Sequence, residues 1–91
     1  MRKRDANEAD IVKALRRVGA EVWQTDDWDL TVAFRGCWHA IEVKADKTQA
    51  ARKSGTAARQ KEHRDRAAKC GCEISVVMTE LEALRAIGAM A

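Results

Sequence analysis

The chain lacks any apolar run approaching the 18 or so residues that a membrane-spanning helix needs, so no bilayer-crossing helix is expected. Large apolar side chains are also scarce: 46% of the 91 residues are hydrophobic, but 17 of these are alanine and only 15 are Val, Ile or Leu. One small domain with a thin core is the expectation. Because a chain this short buries only about 60 to 65% of its unfolded surface, self-association or a tightly bound partner is a first inference. Cysteines are few and odd in number, and Cys70-Gly71-Cys72 is too tight a spacing to suggest a local disulfide. With His39 and His63 they give no zinc spacing, so buried reduced thiols in a cytoplasmic setting are expected. Arg2, Lys3 and Arg4 resemble the start of an export signal, yet Asp5, Glu8 and Asp10 follow where an apolar stretch would be required.

The net charge of +3 is unevenly spread. Residues 1–43 carry 7 basic and 8 acidic groups, residues 44–69 carry 9 and 3, and residues 70–91 carry 1 and 3. The middle segment is therefore +6, a local field that attracts phosphate backbones. A solvated helix face rich in Lys and Arg would have the same composition.

Asp5 and Glu8 have capping-box spacing, and Ile11, Val12, Leu15 and Val18 recur at helical spacing, which predicts a helix from Ala6 to Val18 ended by Gly19. A short strand, Glu21 to Gln24, follows. Two alternating runs, Asp29 to Phe34 and Cys37 to Lys44, flank Arg35-Gly36 and read as a β-hairpin. Turning there pairs Phe34 with Cys37, Val32 with His39, Leu30 with Ile41 and Asp29 with Glu42. One face then carries Leu30, Val32, Phe34, Ile41 and Val43; a one-residue slip would mix apolar and charged residues on both faces. Ala45 to Gly55 is polar and reads as a mobile loop. A helix from Thr56 to Lys69, a strand from Glu73 to Met78 and a last helix opened by Thr79 and Glu82 complete the order. This is a mixed α/β domain with helices on a small sheet.

The hairpin register sets two carboxylates, Asp29 and Glu42, opposite each other, an arrangement that costs a few tenths to about 1 kcal/mol unless something relieves the repulsion. A divalent cation would do so, since Mg²⁺ accepts one or two carboxylates together with waters and phosphate oxygens. Lys44 shares the face of Glu42, where a cation can orient water and stabilise charge on phosphorus. Surface carboxylates with Lys44 as a salt-bridge partner are the plainer alternative. Asp27 is a second possible ligand, though its position opposite Lys44 suits a salt bridge, and Asp26 reads as a turn residue. Trp23, Trp28 and Trp38 serve the core, a dimer contact or base stacking, in that order of preference.

With the fold order, the segments Asp29-Leu30 and Ile41-Glu42-Val43-Lys44, and then Thr56 and Gln60, this sequence resembles the PD-(D/E)xK nuclease superfamily, and most closely its virus-type replication-repair nuclease (VRR-NUC) branch. The likeness runs from about Glu8 to Met78. It implies a restriction-endonuclease-like αβββαβ core, here with a C-terminal helix, forming a mixed sheet flanked by helices. Asp29, Glu42, Lys44 and Gln60 match the family's catalytic positions, and the Val43 carbonyl would also face the metal. Related nucleases place a first-helix Glu beside the metal, a role open to Glu8 alongside helix capping. The proline usual before the Asp is replaced by Trp28, and the chain has no proline at all; that puts the local bend in question rather than the metal site.

The expected function is therefore a Mg²⁺- or Mn²⁺-dependent structure-specific endonuclease in a stand-alone domain spanning residues 1–91, of phage or prophage type. Asp29, Glu42, Val43 and Glu8 are its metal-site candidates. Lys47, Arg52, Lys53, Arg59 and Arg64 are candidates for contacting DNA phosphates. Branched DNA such as a four-way (Holliday) junction is the expected substrate, and its two cuts favour a homodimer. The apolar face of the hairpin, together with Leu81, Leu84 and Ile87, supplies a surface for that dimer. The alternative is a non-catalytic nucleic-acid-binding module on a degenerate nuclease fold, and a small protein-interaction subunit is a third.

Overall fold

The computed structural model describes residues 6–45 and 55–90, with the side chains of 55–57 left aside. In order, the elements are helix α1 (Glu8–Arg17), strands β1 (Glu21–Gln24), β2 (Leu30–Phe34) and β3 (Cys37–Val43), helix α2 (Gly55–Lys69), strand β4 (Ile74–Val77) and helix α3 (Glu80–Ala86). The order is the expected one, with shifts at the ends. Helix α1 starts at Glu8 because Ala6 and Asn7 form a turn, and α2 starts at Gly55, one residue before Thr56. Asp5 and its capping box lie outside the described residues, as does most of the loop expected between Ala45 and Gly55, with Lys47, Arg52 and Lys53.

The four strands form one mixed sheet in the order β1-β2-β3-β4. Strand pairs β1/β2 and β2/β3 are antiparallel, and β3/β4 is parallel. A parallel pair cannot be closed by a tight turn, and the segment between β3 and β4 contains α2. The hairpin pairs Leu30 with Ile41, Val32 with His39 and Phe34 with Cys37, the register that the alternation of apolar residues dictates. Its turn is possible because Arg35 and Gly36 both have positive φ, 49° and 80°, the conformation of a two-residue type I′ turn that follows the twist of the strands.

One face of the sheet holds the core. Val22, Leu30, Val32, Phe34, Ile41, Val43 and Val77 form a single buried cluster with Ile11, Val12 and Leu15 of α1 and with Ala83 and Ile87 at α3. Small residues let these helices approach closely: Ala14 and Ala83 are buried within α1 and α3. Helix α1 stops at Gly19, whose φ of 96° reverses the chain, while the Gly19 and Ala20 N–H groups donate to the carbonyls of Arg16 and Leu15. Helix α3 starts on a reciprocal cap, with Thr79 Oγ1 accepting from the Glu82 N–H and Glu82 Oε1 accepting from the Thr79 N–H, both at 3.1 Å.

Two expectations change, and one part of the expected open surface stays open. The face assigned to a dimer is buried within one chain, because α1 and α3 already cover Leu30, Val32, Phe34, Ile41 and Val43. Leu81 is 41% exposed, on the outer side of the short last helix. All three cysteines are exposed free thiols, since Cys37 adjoins the hairpin turn and Cys70 and Cys72 lie in the turn after α2.

Candidate active site

Alternation along the strands puts Trp38, Ala40, Glu42 and Lys44 on the face opposite the core. Among the described residues, the buried polar side chains are Glu8, Asp29, Glu42 and Gln60, at 2, 7, 0 and 5% exposure. Burying an unpaired charge costs several kcal/mol, so such groups mark either a closed ion-pair network or a functional site. Asp29 immediately precedes β2, Glu42 is next to last in β3, and Gln60 looks across from α2.

Asp29 is fixed from its partner strand: its Oδ2 accepts from the Val43 N–H at 2.7 Å. The bend that presents it forms without proline. The Thr25 hydroxyl donates to the Trp28 carbonyl at 2.5 Å, and the Thr25 N–H donates to the Asp29 carbonyl at 3.1 Å. Trp28 in turn donates from Nε1 to Thr31 Oγ1. Asp29 and Glu42 are close enough for the Asp29 charge to push the Glu42 carboxyl upward.

Glu42 is the most constrained member. Burial, first of all, raises its carboxyl above the ordinary 4.5; the positive charges of Arg64 and Lys44 oppose the shift, and Asp29 adds to it. Its Oε2 accepts from the Arg64 guanidinium at 2.5 Å, while its Oε1 is buried without a hydrogen-bond partner. A buried carboxylate oxygen that lacks a donor, beside a second carboxylate, is the chemistry a hard divalent cation completes. No cluster of three or more His, Cys, Asp or Glu suited to a metal occurs among the described residues. Asp29 and Glu42 offer two buried carboxylates, so a divalent cation there would need waters or phosphate oxygens for its remaining positions.

Lys44 donates from Nζ to Gln60 Oε1, which gives the buried glutamine a partner and fixes the lysine on the site side. Arg64, one helical turn on from Gln60, points to Glu42 rather than outward with the other basic residues of α2. Arg59 remains exposed and donates to the Asp26 carbonyl at 3.4 Å. Asp27 is exposed. His63 is partly exposed, and His39 lies on the core face with a buried Nε2 that has no partner.

Glu8 is buried on the same helical face as Ile11, and its Oε2 accepts from Gln24 Nε2 at 2.9 Å. Two contributors escape sequence reasoning. Gln24 is one, and Asn7 is the other: its amide nitrogen donates to the carbonyls of Lys44 and Met78, at 2.9 and 2.8 Å. Asn7 thereby ties the start of α1 to the chain just after β3 and β4. It stands at the N-cap position of α1, yet its side chain makes no capping hydrogen bond.

No family model, curated protein or solved structure matches this chain. What the described residues define is a small α/β domain with a four-stranded mixed sheet, three helices and a buried acidic pair faced by lysine, glutamine and arginine.

Proposed function

We propose that this domain is a metal-dependent endonuclease of the PD-(D/E)xK type, close to the VRR-NUC branch, acting on branched DNA. The observation that carries it is the burial of the polar side chains Asp29, Glu42 and Gln60 together with the orphaned Oε1 of Glu42. Asp29 and Glu42 are the proposed cation ligands, with the Val43 carbonyl as a further one and Glu8 outside the acidic pair, tied to Gln24.

A bound Mg²⁺ or Mn²⁺ would polarise the scissile phosphate and offset the charge that develops on it. Asp29, held by the Val43 N–H, orients that end of the site. Lys44, steadied by Gln60, presents positive charge to the phosphoryl oxygens and to the attacking water. Water oxygen bonds to phosphorus as the bond to the 3′-oxygen breaks and that oxygen takes a proton, leaving a 5′-phosphate and a 3′-hydroxyl. The exposed basic side chains of α2, Arg59 among them, are proposed contacts to DNA phosphates, as are Lys47, Arg52 and Lys53.

A non-catalytic nucleic-acid-binding module has one observation in its favour: the Arg64–Glu42 pair neutralises the carboxylate without a metal. Incubating labelled four-way junction, flap and linear duplex DNA with Mg²⁺, Mn²⁺ or EDTA separates the two. Metal-dependent cutting that Lys44→Ala lowers by at least about 100-fold, the lower range for removing one stabilising group from a site, supports the enzyme. Binding without cutting under every metal supports the module.

A further inference from the structure

Beyond the acidic pair, the same sheet face carries an apolar feature that the proposed chemistry does not use. Trp23 and Trp38 are 49% and 71% exposed, and their rings lie 5.6 Å apart at 42°. Trp23 sits beside Thr31 and Trp38 beside Ala33. These small residues of β2 leave room for two rings from β1 and β3 to meet across the strand between them. Neither tryptophan contributes to the core cluster, so their exposure has no structural return.

We infer that Trp23 and Trp38 form a stacking platform for an unpaired nucleobase next to the proposed cleavage site, which restricts the substrate to DNA with a single-stranded or splayed nucleotide near the cut. Trp38, Ala40 and Glu42 alternate on one face, so the platform lies about 13 Å from Glu42 at roughly 3.3 Å per residue. At about 3.4 Å per nucleotide along one strand, that distance spans no more than about four nucleotides. On the same side of the sheet an open groove of about 510 Å³ lies against the C-terminal half of α2, lined by Trp28, Ala40, Ala67 and Ile74, by the cation Arg66 and by the acids Asp27 and Glu73.

Charge complementarity selects the occupant. With Arg64 turned in to Glu42, helix α2 exposes Arg59, Lys61, Arg66 and Lys69 against Glu62 and Asp65, a net +2. Aromatic faces next to a basic wall are what single-stranded nucleic acid uses, bases on the rings and phosphates on the cations. A second copy fits less well: the two rings leave roughly 300 Å² uncovered at most, taking up to about 250 Å² per tryptophan, whereas a stable interface buries about 800 Å² per partner. In duplex DNA the base faces are already stacked, so the platform discriminates by pairing state rather than by sequence.

The inference rests on the nuclease reading only in naming the cut as its reference point, and its test needs neither metal nor cleavage. Anisotropy with fluorescein-labelled dT₁₂, a flap and a matched duplex is measured in EDTA for the wild type, the double variant Trp23→Ala/Trp38→Ala and the double variant Trp23→Phe/Trp38→Phe. The alanine variant is expected to lose about 10- to 100-fold in affinity for dT₁₂ and flap, with duplex binding changed less than about 3-fold and the phenylalanine variant close to wild type. Wild-type protein on flaps with an abasic site within four nucleotides of the branch should show the same loss, an arm independent of how any variant folds. Unchanged dT₁₂ affinity in the alanine variant, equal loss on duplex, or abasic flaps bound as tightly as intact ones would overturn the platform. So would a wild-type dimer in sedimentation that the alanine variant turns into monomers. Absence of cleavage in the metal assay would remove the nuclease assignment and leave these binding results to stand.

Discussion

Glu42 holds the tension of the site at the scale of single residues. Its carboxyl is raised by folding, so the folded protein binds its proton more tightly than the unfolded chain does. The stability linked to that proton is fully present below the ordinary 4.5 and is lost as pH rises through the higher folded value. Glu42→Gln removes the buried charge, leaves an oxygen for Arg64 and offers Asp29 a donor. Thermal denaturation without metal should therefore find the variant more stable than wild type at pH 7, on the order of 1 kcal/mol for relief of one unsatisfied buried group, and the two converging near pH 4. A variant less stable at pH 7 would contradict this. Lys44→Met takes away the donor to the buried Gln60, so it should cost about 1–3 kcal/mol of stability as well as the proposed metal-dependent cutting, and cutting is to be compared at equal folded fraction.

The residues legible in the sequence were those whose positions alternation fixes. Once Leu30, Val32, Phe34, Ile41 and Val43 are forced to one face, Asp29, Glu42 and Lys44 have no choice but the other. Arg64 was less legible, because a helical arginine in a basic segment reads equally as a solvent-facing phosphate contact; only the height of Glu42 beneath α2 turns it inward. Asn7 and Gln24 were invisible for a related reason, since each bonds to a group from a distant part of the chain.

At the scale of elements, the two sheet faces are held differently. Helices α1 and α3 rest on an aliphatic cluster, whereas α2 meets the sheet through Gln60–Lys44 and Arg64–Glu42. The helices on the core face should respond to ordinary packing and backbone changes. Gly19→Ala meets no atom within 4 Å, so its cost is the positive φ of 96° alone. That is about 1 kcal/mol, or a fall of roughly 4–8 °C in Tm for a domain of this size, readable by circular dichroism. Thr79→Ala removes the cap of α3 and should cost about as much. Neither change should alter DNA cutting beyond its effect on the folded fraction. Element order and hairpin register followed from periodicity and the Arg35-Gly36 turn, while helix starts shifted because Ala6 and Asn7 carry no apolar signal that could place them.

The whole molecule joins a small aliphatic core to a polar site at one end of the sheet. The thin interior first suggested a dimer across the hairpin, yet α1 and α3 bury that face within one chain. A homodimer on branched DNA stays a proposal based on the symmetry of the substrate, and sedimentation at micromolar concentration with and without junction DNA checks it: a twofold complex is expected on the junction. Binding should weaken steeply with salt, as phosphate contacts from the +6 segment require, and a flat salt response would exclude that surface. The central claim is that Asp29 and Glu42 hold a divalent cation. Its most direct measurement is anomalous diffraction from crystals soaked in Mn²⁺: the predicted result is a peak bridging the two carboxylates with Arg64 moved off Glu42, and the contradicting result is no peak there with the Arg64–Glu42 pair still closed.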